Sequence, residues 1–318
     1  MATLVWDADT TRLYETGTKK GVLYPMSSAG TYETGVAWNG LTAVTESPSG
    51  AEETALYADD MKYLSLRSKE EFGGTIEAYT YPDEWAACDG SAQLTGAPGV
   101  MVGQQTRKKF GLCYRTAIGN DVDADDYGYK LHLVYGAQAS PSERSYATIN
   151  DSPEAITFSW EFTTTPKDYD GENTGLKPTA IITIDSTKVA GATPEERALV
   201  MKNIEDVLYG TANADPRLPL PSEIADIMYP AGGVYEITLD KANIKLTVGD
   251  TYTLTPTVIP SNATVTWTSS AGTKASVSDG VITALDAGSA VITASISDTD
   301  SNTYTDSCNV KVVAAPSA

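Results

Sequence analysis

Residues 156–162 read ITFSWEF, and their alternation decides the class of fold. Ile156, Phe158, Trp160 and Phe162 share one face of an extended chain, while Thr157, Ser159 and Glu161 share the other. Apolar rings on one side and polar groups on the other describe a strand with one buried face. The same period of two recurs in KYLSLRS (62–68), GTIEAYTYP (74–82) and YKLHLVYG (129–136), and TAIITI (179–184) adds a further strand. So many half-buried antiparallel strands require a second layer, hence a sandwich or barrel.

One helix interrupts the strands, at TPEERALVMKNIEDVLYG (193–210). Thr193 is its natural N-cap, Pro194 suits the first helical position, and Glu196 completes a capping box. Val200, Met201, Ile204, Val207 and Leu208 form an apolar stripe at helical spacing, expected to pack on the sheet, and Gly210 ends the helix. SEIADIMYP (222–230) predicts a shorter helical turn closed by Pro230.

Two acidic stretches read as loops: TESPSGAEETALYADD (45–60), between two strands, and IGNDVDADDYGY (118–129). Connections of this length are usually functional or flexible. YPAGGVYE (229–236) reads as a linker, and there is no internal repeat. Beyond it the chain turns rich in Thr, Ser and Val, with short strands at close spacing. Ile244, Leu246 and Val248 alternate; Tyr252, Leu254 and Val258 follow, then Val265 and Trp267. Asp279-Gly280 marks a tight hairpin, Ala290 to Ile296 alternates again, and CNVKVV (308–313) places Cys308 in register with Val310 and Val312. About seven strands in some eighty residues around a central Trp spell an immunoglobulin-like sandwich.

The chain has 318 residues, enough for two domains, and a net charge of −20. That balance disfavours docking to nucleic acid phosphates or anionic lipid, which needs clustered Lys and Arg. No apolar run reaches the ~18 residues of a membrane span, so no membrane insertion is expected. The start, MATLVWDADTTRLYETG, lacks the pattern of a secretory signal, so synthesis and folding in the cytosol are expected. Cys88, Cys113 and Cys308 are too few and scattered for a disulfide framework or a zinc site.

No catalytic constellation emerges. The single histidine, His132, lies on the face opposite Leu131, Leu133 and Tyr135, and reads as surface or packing. The G-x-S-x-G, H-E-x-x-H and phosphate-loop patterns are absent. Adjacent acids such as Glu52-Glu53, Asp59-Asp60, Glu70-Glu71 and Asp125-Asp126 read as solvated loop groups, with a glycosidase pair as the alternative. NDVDADD (120–126) is either a solvated cluster or a cation loop, without the spacing of an EF-hand. Asn150 and Asn262 match the glycosylation pattern by chance. The expectation is no enzyme, no cofactor, no catalytic residue and no metal site.

At this point two families come into view. ITLDKANIKLTVGDTYTLTPTVIPSNATVTWTSS (237–270) with VSDGVITALDAGSAVITAS (277–295) resembles a bacterial group 2 immunoglobulin-like domain. GVAWNGLTAVTESPSGAEETALYADDMKYLSL (35–66), FGGTIEAYTYPDEWAACDG (72–90), GLCYRT (111–116) and LYGTANADPRLPLPSEI (208–224) are similar to major tail proteins, the tail tube subunits of long non-contractile-tailed bacteriophages.

These resemblances imply a fold class that is mainly β. A tail-tube β-sandwich or barrel with a flanking helix would occupy 1–233, and an immunoglobulin-like sandwich 234–318. They imply hexameric rings stacked into a tube for DNA ejection, part of the tail of a virion, with the chain synthesised in the host cytoplasm. The inter-ring contact would fall on Thr45, Glu46, Ser47, Glu52, Glu53, Tyr57, Asp59 and Asp60, ordered only on stacking. Leu246, Leu254, Trp267 and Ile292 would form the core of the immunoglobulin-like domain. The implied partners are other copies of the chain, tape measure, tail terminator and distal tail proteins, DNA in passage without specific binding, and host surface carbohydrate. The alternatives are a bacterial surface adhesin or carbohydrate-binding protein, and a carbohydrate-active enzyme with an accessory domain.

Overall fold

The computed structural model describes residues 6–7, 12–149, 155–167, 176–191, 193–230, 233–260, 263–298 and 302–314. Asn150, Asn262 and part of the 229–236 linker lie outside the described residues. Strands take 50% of the described residues and helices 10%, which places the chain in the mainly β class. The chain divides into two compact units, Met1–Val189 with Met201–Ile224, and Ala190–Val200 with Ala225–Ala318. Among the described residues no helix is long and apolar enough to cross a membrane.

The first unit begins with β1 (Tyr14–Pro25), β2 (Val36–Trp38), β3 (Leu41–Glu46), β4 (Ser49–Gly50) and β5 (Glu53–Ala58). β6 (Met61–Arg67), β7 (Glu70–Glu71), β8 (Gly73–Ala78), helix α1 (Trp85–Asp89), β9 (Ala92–Gln93) and β10 (Met101–Val102) follow. The long β11 (Phe110–Asn120) and β12 (Ala124–Ala139) precede β13 (Phe158–Thr164) and β14 (Ile181–Asp185).

The main sheet pairs in the order β2-β1-β11-β12-β13-β8-β3, with β14 added to β12. β2 and β3 stand at opposite ends of that order, yet only Asn39 and Gly40 separate them in the chain. Two residues span only about 7 Å, so the sheet must curl until its two ends meet. Gly21 of β1 confirms the closure: a Cβ there would lie 2.8 Å from Leu41 of β3.

The enclosed space is filled by large rings. Trp38, Trp85 and Trp160 have centroids 4.7 to 5.9 Å apart, and Phe110 meets Trp85 edge-on at 4.9 Å. Leu23, Ile76, Leu112, Tyr114, Val134 and Phe162 complete this buried core. α1 is the device that brings Trp85 inside, and Gly90, with φ +79°, ends it.

A second layer covers the other face of β1, β11 and β12. Helix α2 (Pro194–Tyr209) begins at a reciprocal cap: the Glu196 N–H donates to Thr193 Oγ1 at 3.2 Å, and the Thr193 N–H to Glu196 Oε2 at 3.4 Å. Leu199, Val200, Met201, Ile204 and Leu208 are buried, whereas Val207 is only half-buried. The Tyr24 hydroxyl donates to the Leu208 carbonyl at 2.6 Å, and Arg115 lies 3.7 Å from Glu205, which ties the helix to β1 and β11. The central strands are therefore covered on both faces instead of one. His132 does face away from Leu131, Leu133 and Tyr135, but that side is also interior, and the ring is buried. A 3-10 turn (Pro221–Glu223) and α3 (Ile224–Met228) follow.

β12 forks the sheet. One side pairs with β11 along most of its length, while the other pairs with β14 over Lys130–Val134 and with β13 over Ala137–Ala139. The change of partner falls at Gly136, whose φ of +59° bends the strand. The stretch 118–129, expected as a loop, is instead the end of β11, a three-residue turn and the start of β12. Asn120 makes that possible, because its Oδ1 accepts the N–H groups of Val122 and Asp123 at 2.9 and 2.5 Å.

Among its described residues the second unit holds nine strands rather than about seven. They are β15 (Glu236–Leu239), β16 (Asn243–Thr247), β17 (Thr251–Thr253), β18 (Pro256–Ile259), β19 (Thr266–Ser269), β20 (Ala275–Ser278), β21 (Val281–Ala284), β22 (Gly288–Ser297) and β23 (Thr303–Val313). The excess arises because short edge pieces split, with β15 pairing β18 alone. Sheets β16-β23-β22-β19 and β17-β21-β20 enclose a common core, with β16 parallel to β23. Asp279 and Gly280, at φ +50° and +80°, form the tight turn between β20 and β21.

Candidate interaction surface

The stretch 45–60, expected as a loop, is half of an extended two-stranded ribbon. Thr45 and Glu46 still belong to the main sheet, paired with Thr75 and Gly74. The ladder then continues outward, with the Ser47 N–H donating to the Gly73 carbonyl at 2.8 Å. β4 pairs β7, and β5 pairs β6. Gly50 is required here, since at φ +86° a Cβ would sit 2.3 Å from the Lys69 carbonyl oxygen. Glu52 and Ser68 exchange hydrogen bonds of 3.0 Å below the tip. Asp59 and Asp60, at φ +50° and +62°, form the two-residue turn at the tip. At ~3.3 Å per residue, the span from Ser47 to Asp59 reaches about 40 Å.

The register sorts the ribbon into two faces. Glu53 opposes Arg67 and Ala55 opposes Ser65 on one, while Thr54 opposes Leu66 and Leu56 opposes Leu64 on the other. On the polar face the Glu53 carboxylate accepts from Lys62 and from the Ser65 hydroxyl, with Arg67 4.0 Å away. Lys62 foremost, then Ser65, hold that carboxyl below its ordinary 4.5. Toward the tip Tyr57, Met61 and Tyr63 are 72%, 69% and 73% exposed, and Leu56, Leu64 and Leu66 are exposed as well. The strand KYLSLRS, expected to be half-buried, therefore buries nothing within the described residues.

An isolated two-stranded ribbon is marginal in water, and a long apolar one is a template for association. Among the inter-ring residues expected from the sequence, Glu52, Glu53, Tyr57, Asp59 and Asp60 lie on the ribbon, Ser47 at its base, and Thr45 and Glu46 in the sheet. Met61, Tyr63, Leu64 and Leu66 were missed as a surface. Their alternation is the same as that of a core strand, because periodicity shows a buried face without showing what buries it.

A polar cluster sits where the ribbon leaves the sheet. The His132 and Tyr114 rings stack at 4.6 Å, and His132 Nε2 is 3.0 Å from Thr116 Oγ1. The Tyr114 hydroxyl donates to Glu46 Oε1 at 2.5 Å, and His132 Nδ1 lies 3.3 Å from the same oxygen, off the line of a good hydrogen bond. The His132 ring, and then the Tyr114 hydroxyl, hold the Glu46 carboxyl below its ordinary 4.5 against the burial that raises it. A carboxyl with a depressed folded-state value stabilises the fold above the unfolded value and loses that contribution as pH falls through the folded one. The melting midpoint of the native chain is therefore expected to fall more steeply below about pH 4.5 than that of a Glu46→Gln variant. Parallel slopes would show that the carboxylate contributes nothing.

The other acids have local roles. Asp123 accepts from the Asn120 amide at 3.0 Å and Asp125 from the Tyr14 hydroxyl at 3.1 Å, while Asp121 lies 3.5 Å from Arg12. Among the described residues no group of carboxylates, histidines or thiols is arranged to hold a metal ion. Cys88, Cys113 and Cys308 are free and buried, and burial pushes the Cys88 and Cys113 thiols up to about 12.

In the second unit Leu246, Leu254 and Ile292 are buried in one core with Ile282, Cys308 and Val310. Trp267 is half-buried and packs against that core and against a smaller cluster of Ile237, Ala294 and Ile296. Residues 234–305 match the family model of the bacterial Ig-like domain (group 2). No curated protein matches the chain. Among solved structures, the tandem Ig repeats of Dlar match at 12% identity and a TM-score of 0.21, over 64% of this chain and 90% of that one.

Proposed function

We propose that the chain is the repeating subunit of a bacteriophage tail tube. In this reading the first 233 residues build hexameric rings that stack into the conduit for DNA ejection, and residues 234–318 decorate the outside. The observation that carries it is the ribbon from Ser47 to Glu71, whose large apolar side chains find no cover among the described residues. A contact between this ribbon and the body of the next copy is heterologous, and such contacts propagate into rings and filaments. An acid excess in the lumen would let DNA pass without specific binding. Tape measure, tail terminator and distal tail proteins are the partners of such a tube, and the virion is its location.

A second reading, a surface adhesin or carbohydrate-binding protein, is favoured by the immunoglobulin-like match over 234–305. That unit suits a surface or decorating role under either reading, and binding rather than catalysis.

Negative-stain microscopy of the purified chain separates the two. Rings or stacked tubes are expected, and a dispersed monomer at all concentrations would refute the tube. A chain ended at Gly233 is expected to form thinner tubes without peripheral knobs. If that chain folds but no longer assembles, the second unit is part of the tube wall rather than a decoration.

A further inference from the structure

The outward face of the sheet β16-β23-β22-β19 carries an open groove of about 540 Å³. Two rungs of the ladder line it: Asn243, Asn309 and Val291 on one, Lys245, Lys311 and Ser289 on the next. All six are exposed, because their sequence neighbours Leu246, Ala290, Ile292, Val310 and Val312 point inward and fill the core. Lys245 and Lys311 are thus side by side on one face, at the ~4.8 Å spacing of adjacent strands. Neither has an ion-pair partner among the described residues, whereas Lys274 of the same unit pairs with Asp286 at 2.5 Å.

Like charges on neighbouring strands oppose folding. A chain of net charge −20 has carboxylates in abundance, yet among the described residues none forms an ion pair with either lysine, while Asp286 does so with Lys274. Next to the lysines the Asn309 amide donates to Asn243 Oδ1 at 3.2 Å, which fixes both side chains and leaves each with further hydrogen-bonding capacity. The site therefore offers two cationic heads, two oriented amides and the Ser289 hydroxyl over an apolar patch at Val291.

We infer that this groove binds an anionic glycan, with a carboxylate or phosphate group between Lys245 and Lys311 and sugar hydroxyls on Asn243, Asn309 and Ser289. Nucleic acid fits less well. Its single strands are held by stacking on aromatic rings, and the lining contains none. Its dense charge would also be repelled by the rest of the chain, whereas a glycan with spaced charges needs only a local cationic pair. The inference concerns this unit alone and holds for a decorated tube and for an adhesin alike.

The test is calorimetric titration of the full chain at low salt with hyaluronan hexasaccharide, its carboxyl-reduced neutral counterpart, phosphorylated pentamannose and a short single-stranded DNA. At least one anionic sugar is expected to bind, and the double variant Lys245→Gln, Lys311→Gln to weaken it about tenfold or more. The Lys274→Gln control should stay within about twofold, and the neutral sugar should bind no better than the double variant binds the anionic one. Which anionic sugar binds tells a carboxylate from a phosphate. Without sugar, each single variant relieves the like-charge contact and should raise the melting midpoint of this unit by about 1–5 °C. No binding by either anionic sugar, equal binding by the double variant, tighter binding of DNA, or a lowered midpoint would each overturn the assignment.

Discussion

A chain in which residues 48–71 are replaced by a two-residue Asn-Gly turn is expected to fold with a nearly unchanged melting midpoint and to form no rings or tubes. The fold tolerates the excision because the ladder is already closed beneath it by the Ser47 to Gly73 hydrogen bond, and Phe72 packs on the aromatic core. The excised ribbon contains no buried side chain, so its removal deletes no part of that core. Assembly, by contrast, would lose the cover it gives to Leu56, Tyr57, Met61, Tyr63, Leu64 and Leu66. Burying an exposed side chain of this size contributes about 1.5–3 kcal/mol, so a handful of them decides whether subunits associate at all. Sedimentation and microscopy read the result. Tubes of ordinary length from the shortened chain would refute the role given to the ribbon, and a chain that fails to fold would show that the ribbon is structural.

The largest single-residue effect is expected at Gly136. A Cβ added there would stand 2.3 Å from the Thr165 carbonyl oxygen, on a residue whose φ is +59°. The position cannot relax freely. Its N–H donates to the Tyr32 hydroxyl at 2.9 Å, and its carbonyl accepts the Thr165 N–H at 3.0 Å. Gly136→Ala should cost about 3 kcal/mol or more, from the left-handed backbone together with the displaced carbonyl. Gly96 supplies an internal control, because its φ is +79° but nothing lies within 4 Å of an added Cβ. Gly96→Ala should lose only the backbone part, about 1–2 kcal/mol. Equal losses from the two variants in urea unfolding would show that the fork in β12 is not sterically fixed.

The contrast between these two glycines also marks how far the sequence could be read. Strand identity was legible wherever one face of a strand met the core, as in ITFSWEF or CNVKVV, because burial imposes a period of two. The helix was legible through Thr193, Pro194 and Glu196, which satisfy its first N–H groups from within the sequence itself. The partner of a strand was not. Gly136 in VYGAQ looks like the end of a strand, whereas it is the point where β12 exchanges β14 for β13. The ribbon was misread for a related reason. Its turn, Asp59-Asp60, lacks the glycine that usually announces a hairpin, and its acids and glycine suggested a loop. Asn120 did the same for the acidic turn between β11 and β12, since the side chain that shortens the connection is itself a typical loop residue.

The three buried cysteines have a practical corollary. With thiols shielded from solvent, and burial holding Cys88 and Cys113 toward the protonated form, the native chain is expected to react little with maleimide dyes. A single Met61→Cys replacement, at a position 69% exposed, therefore introduces the one reactive sulfur among the described residues. A fluorophore placed there reports its own surroundings before and after mixing with unlabelled chain, with no background to subtract and no native cysteine to remove.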